Sequence, residues 1–87
     1  MIDPSARVHG TADIEPDVSV GQGTSIWHRV QVRAGAKIGA ECVIGPHCHI
    51  VESTIGRGAE LKGWNYVTRT AIRNQAVLEP HVKRGLD

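Results

Sequence analysis

Phenylalanine is absent from this 87-residue chain, which holds one Tyr, two Trp and one Met. A globular core of this size ordinarily fills its centre with several large rings. The chain is nonetheless 40% hydrophobic, so a wide interior is excluded and a narrow one of Ile, Val and Leu is implied. Cysteine is scarce as well. Cys42 and Cys48 are too few for the disulfide framework of a small secreted domain, and no Cys-x-x-Cys supports a structural zinc site. No apolar run approaches a membrane span, and Met1-Ile2-Asp3-Pro4 does not open a signal peptide, so a cytoplasmic protein is expected. A formal charge of +1 gives no electrostatic case for nucleic acid or an anionic membrane as partner. The ten Gly and four Pro are spread along the chain instead of clustering as a linker, so residues 1–87 read as a single domain with frequent turns.

What is present is a repeat. Large aliphatics stand at Ile2, Val8, Ile14, Val20, Ile26, Val32, Ile38, Ile44 and Ile50, at a strict spacing of six. A five-residue step leads to Ile55, followed by Leu61 and Val67 at six; a second five-residue step leads to Ile72, then Leu78. Four residues after each aliphatic comes a smaller side chain, from Ala6 and Ala12 through Cys42, Cys48, Thr54 and Ala59 to Ala71, Ala76 and Val82, with Asn65 the one that is out of character. A period of six fits neither a helix nor an amphipathic strand, but it fits a short strand plus a turn. Gly or an acid often follows the aliphatic and Pro or a small residue often comes next, as turns require.

This pattern resembles the left-handed parallel β-helix of the hexapeptide-repeat family, and the resemblance covers Ile2 to about Val82. It implies an all-β triangular solenoid in which three hexads make one coil. About five coils then begin at Ile2, Val20, Ile38, Ile55 and Ile72. Both shortened steps fall on the third corner of successive coils, so they stack. Arg84 stands where the next aliphatic is due, and residues 83–87 read as a polar stop that blunts the last open edge.

The segment from Gly21 to Arg33, containing Ile26-Trp27-His28, is flanked by Val8-His9-Gly10-Thr11-Ala12 and by Gly35-Ala36-Lys37-Ile38-Gly39. It looks like the first coils of nucleotide-sugar N-acetyltransferases. That resemblance implies acyl transfer from acetyl-CoA to an amino or hydroxyl group of a sugar nucleotide, in a homotrimer. The coils that hold acetyl-CoA in those relatives have no counterpart here, which leaves a second reading: a non-catalytic trimeric scaffold or a shortened relic of such an enzyme. A γ-class carbonic anhydrase is less well matched. Its relatives carry Arg-Gly-Asp where this chain has Arg33-Ala34-Gly35, and two ligand His five apart where His47 and His49 are two apart. No metal ligand is therefore assigned.

Stacking the coils gives the candidate residues a geometry. His47, Trp64 and His81 are seventeen apart and should form one vertical column, with Arg29 below His47. A second column holds Gln31, His49, Tyr66 and Lys83. Trp27 and His28 occupy turn positions and must point outward, which for an indole implies a subunit interface or a ligand. One edge of the prism thus gathers Trp27, Arg29, His49, Trp64, Tyr66 and His81 as a substrate groove or subunit interface. His28 and His47 are the candidate general bases for acyl transfer.

Overall fold

The computed structural model describes residues 1–85, and these residues form fourteen short strands and no helix. They are β1 (Arg7–Val8), β2 (Asp13–Ile14), β3 (Ser19–Val20), β4 (Ser25–Ile26), β5 (Gln31–Val32), β6 (Lys37–Ile38), β7 (Val43–Ile44), β8 (His49–Val51), β9 (Thr54–Ile55), β10 (Glu60–Leu61), β11 (Tyr66–Thr68), β12 (Ala71–Ile72), β13 (Val77–Leu78) and β14 (Lys83–Gly85). Every third strand pairs in parallel, giving three sheets: β1-β4-β7-β10-β13, β2-β5-β8-β11-β14 and β3-β6-β9-β12. A bridge from Ile2 to Val20 extends the third sheet to the first coil.

The register is that of the hexad columns. Ile38 sits on Val20 and beneath Ile55, and Ile55 lies beneath Ile72. Ile26, Ile44, Leu61 and Leu78 align on the first face, and Val32, Ile50 and Val67 on the second. Ile44, Ile50, Leu61 and Val67 are fully buried. Each coil's aliphatics therefore pack on those of the next, and no ring is needed to fill the centre. Cys42 and Cys48 are buried free thiols in this core, and burial raises both above the ordinary thiol range.

Each corner from the second coil onward contains a residue with positive φ, and the Gly63-Trp64 corner contains two. Gly23, Gly35 and Gly58 fill some of these places, and Arg29, Glu41, His47, Trp64, Gln75 and His81 fill others. Their N–H groups donate to the coil below: His47 to the His28 carbonyl at 3.1 Å, Trp64 to Pro46 at 2.9 Å, and His81 to Gly63 at 3.1 Å. This bond holds side-chain-bearing residues in a conformation that otherwise favours glycine. The glycines that directly follow an aliphatic serve a different purpose. A Cβ on Gly45 would lie 2.5 Å from the Lys62 carbonyl carbon, so close approach of the next coil, and not positive φ, requires glycine there.

The shortened third corners do stack: Glu52 and Arg69 both turn them with φ 47°, and Arg69 donates its N–H to the Val51 carbonyl at 2.9 Å. They also correct the small-residue column. Counting four on from Ile50 and Val67 points to Thr54 and Ala71, but both are exposed strand residues. Ser53, 2% exposed, and half-buried Thr70 take the inward corner places. The residue lost at each corner precedes the small one, so the column keeps its spacing from the following aliphatic. Asn65, the odd member, is buried with both amide ends satisfied. Its Oδ1 accepts from the Gly63 N–H at 3.1 Å, and its Nδ2 donates to the Glu79 and Val82 carbonyls at 2.8 and 3.0 Å.

The polar stop is also corrected. Lys83, Arg84 and Gly85 do not leave the solenoid but pair with Tyr66, Val67 and Thr68 as β14. Backbone pairing outlasts the hydrophobic column by one strand, because the ladder needs peptide groups and not aliphatic side chains. Leu86 and Asp87 lie outside the described residues.

Truncating the column in mid-stack should cost far more than truncating a valine on the outside of the same face. Ile44→Ala is expected to lose about 2–5 kcal/mol and Val77→Ala about 0.5 kcal/mol or less, measured by urea denaturation.

Candidate functional site

The corner between the first and second faces carries the rings. His9 meets His28 at 5.8 Å between centroids, and His28 meets His47 edge-on at 5.4 Å. Trp64 stacks on His47 at 4.0 Å and 6°, and His81 lies 5.9 Å beyond Trp64. The expected column of His47, Trp64 and His81 is therefore present, but the ring beneath His47 is His28 and not Arg29. Arg29 does share the positive-φ turn position of His47. Its N–H is taken by the Thr11 hydroxyl at 2.9 Å, and the imidazole one residue earlier fills the space below His47. His9 joins from a third turn position, with Nδ1 3.0 Å from Thr11 Oγ1. The ladder thus draws on three different places in the hexad, and counting by seventeen finds only the upper part of it.

Asn65 is what fixes the Gly63-Trp64 turn. By holding the Gly63 N–H from inside and tying it to carbonyls of the next coil, it leaves the Trp64 indole parallel to His47. Such a stacked pair contributes about 0.5–1.5 kcal/mol beyond its buried area.

The second column also forms. His49 pairs in register with Gln31 below and Tyr66 above, and Tyr66 with Lys83. The His49 and Tyr66 rings are 4.8 Å apart, and the Lys83 ammonium lies 5.8 Å from the Tyr66 ring centre. Partial burial, and then the charge of Arg33, hold the His49 imidazole below its ordinary range.

Trp27 is 52% exposed and stands between two depressions on the first face. The lower one, of about 370 Å³, is lined by Arg7, Val8, His9 and Ser25; the upper one, of about 620 Å³, by His28, Val43, Pro46, Glu60 and Lys62. Gly45 contributes no side chain above Trp27, which leaves the upper depression open. Lys62 is drawn toward Glu79 at 3.3 Å. His28 therefore faces a space that a ligand can enter, whereas His47 lines neither depression and has one ring face covered by Trp64. Sequence reasoning named His28 and Trp27 but missed Val43, Glu60 and Lys62. Those three become neighbours only because the coil above places them beside Trp27. Among the described residues, no three His, Cys, Asp or Glu side chains converge as metal ligands.

The GMPPB C-terminal domain family matches residues 1–83. The chain belongs to that family. It is 39% identical over 67 residues to the bifunctional protein GlmU of Bacillus velezensis, a match spanning 77% of this chain and 14% of that protein. It is 42% identical over 43 residues to the UDP-3-O-acylglucosamine N-acyltransferase of Parasynechococcus marenigrum, spanning 49% of this chain and 12% of that one. The chain thus covers only a small part of these relatives. A hexapeptide transferase family protein from Anaplasma phagocytophilum shares the fold, with a TM-score of 0.58 at 20% identity over 94% of this chain and 67% of that chain. The three-sided solenoid is the left-handed β-helix of hexapeptide-repeat proteins.

His49 gives this edge a pH dependence. Because its folded-state affinity for a proton is depressed, the unfolded chain binds that proton first as pH falls. Its contribution to stability is complete above about pH 6.5 and is lost on acidification through the lower folded value. His49→Gln is expected to reduce the fall in melting temperature between about pH 7 and pH 5, read by circular dichroism.

Proposed function

We propose that this chain is an acyltransferase-like protein that transfers an acyl group from acetyl-CoA to an amino or hydroxyl group of a sugar nucleotide, and that it works as a homotrimer. The observation that carries this reading is the half-buried His28 imidazole lining the upper depression beside Trp27. The match to an N-acyltransferase of a UDP-linked acylglucosamine supports it.

In this reading the attacking amine or hydroxyl of the sugar approaches His28, whose ring nitrogen takes its proton as the new bond to the acyl carbon forms; the thioester C–S bond then breaks and the same proton passes to the departing sulfur, so that coenzyme A leaves as the free thiol. His47 is a positioning residue: its ring, held by Trp64, fixes the plane of His28 through the edge-on contact. Acetyl-CoA supplies the acyl group as a thioester. The apolar wall of Trp27, Val43, Pro46 and Pro80 fits the uncharged part of such a donor, and Arg29 at the same corner fits its phosphates or those of the sugar nucleotide. Exposed Trp27 and the outer valines Val43 and Val77 suit burial against a neighbouring subunit, which would also deepen a groove that is shallow in one protomer.

One observation favours the scaffold reading. Among the described residues no carboxylate hydrogen bond orients His28 or His47, as a general base ordinarily has. The two readings part on ligand binding. Acetyl-CoA at millimolar concentration should raise the melting temperature by several degrees if the site exists. His28→Ala should abolish thiol release in the presence of an amino-sugar nucleotide while leaving the melting temperature of the free protein nearly unchanged. No thermal shift and no thiol release would leave the scaffold.

A further inference from the structure

The first face holds one charge among apolar side chains. Val43, Glu60 and Val77 stand one above another on its outer side, and the two valines are 39% and 51% exposed. Glu60 is half-buried between them. Most carboxylates of the described residues are engaged. Asp13, Glu41, Glu52 and Glu79 form ion pairs at 3.1–3.3 Å, Asp3 accepts from the Ser5 hydroxyl, and Asp17 accepts from the Gly35 N–H. Among the described residues only the Glu15 and Glu60 carboxylates have neither an ion pair nor a hydrogen bond. Glu15 lines neither depression, whereas Glu60 lines the upper one.

The rest of that depression suits a cation with an apolar body. Trp27, Val43, Pro46, Leu61 and Pro80 form its walls, and the indole lies open because Gly45 above it has no side chain. Lys62 also lines it, but its ammonium lies 3.3 Å from Glu79 and is already paired. An anion entering here would meet the Glu60 charge beside apolar walls, where repulsion is screened less than in water. A hydroxyl would gain a hydrogen bond and no more. An ammonium gains twice, from a charge-assisted hydrogen bond to a carboxylate without a partner and from the face of an indole. The volume of about 620 Å³ admits a body of several carbon atoms beside the charged group.

We infer that the upper depression binds an organic ammonium ion, with its charge on Glu60 and its hydrocarbon body against Trp27 and Val43. Binding needs neither acetyl-CoA nor a proton transfer at His28, so this inference does not depend on the proposed function. It gives the depression a polarity. Amines are drawn to the Glu60 end, and phosphates are turned away from it.

Titration of the isotope-labelled full chain with n-butylammonium, and with n-butanol as its uncharged isostere, tests this at about pH 7, where the amine and the carboxylate are both ionised. The Trp27 indole N–H resonance should move and saturate with butylammonium, while that of Trp64, on the ring ladder, stays in place. Half-saturation with butanol should need about tenfold more ligand. Glu60→Gln, which keeps the size of the side chain, should abolish that preference, and about 0.5 M salt should reduce it. Equal affinity for the two probes, or a preference that survives Glu60→Gln, would overturn the proposal. No saturable shift up to about 0.1 M butylammonium would overturn it as well. So would a Trp27 resonance that follows protein concentration instead of amine, because Glu60 would then belong to a basic side chain of a second copy.

Discussion

The rest of this structure depends on the parallel hydrogen-bond ladder between coils. A peptide group in one coil can pair only if its counterpart in the next lies directly above it. Every corner must therefore consume the same number of residues as the corner beneath it, or return the chain to the same face by another route. The third corner takes the second course. Glu52 and Arg69 turn it with one residue fewer, and Ile55 still lands on Ile38 and beneath Ile72. Because register is held this tightly, side chains outside the prism are stacked as strictly as those inside it. The outer edge then becomes a built surface instead of a scatter of polar groups.

That constraint explains how much could be read directly. The aliphatic column alone locates thirteen of the strands, because each hexad places one large residue inward and no tertiary choice is left to make; the missing aliphatic at Arg84 conceals only β14. The misplaced residues have one common cause. Thr54 and Ala71 follow from counting forward across a corner that had lost a residue, when the geometry is anchored to the aliphatic that follows. At Arg84 the side chain departs from the pattern while the backbone does not. In the ring ladder, residue position and ring position diverge: His9, His28 and His47 come from three successive turn positions, yet their rings touch because an imidazole can reach across a corner. Periodicity records where a Cα lies. It does not record where the end of a long side chain goes.

The candidate site follows from the same stacking. Trp27 is exposed beside a depression because Gly45 above it has no side chain, and Gly45 is glycine because the backbone of Lys62 passes too close for a Cβ. Asn65 is polar inside an apolar column because the Gly63-Trp64 turn needs an internal acceptor and the next coil offers two carbonyls to its amide. His47 and Trp64 are parallel because each donates its N–H to the coil below from the same turn geometry. Residues that look functional on the outside thus rest on packing requirements one layer in.

The account stands on the claim that coil register, through Asn65 and the corner hydrogen bonds, assembles His9, His28, His47, Trp64 and His81 into one ladder of rings. Ring-to-ring nuclear Overhauser effects in isotope-labelled protein measure this most directly. The account predicts cross-peaks from the His47 imidazole to both the Trp64 indole and the His28 ring. Cross-peaks from His47 to the Arg29 side chain in place of His28, or none between His47 and Trp64, would contradict it.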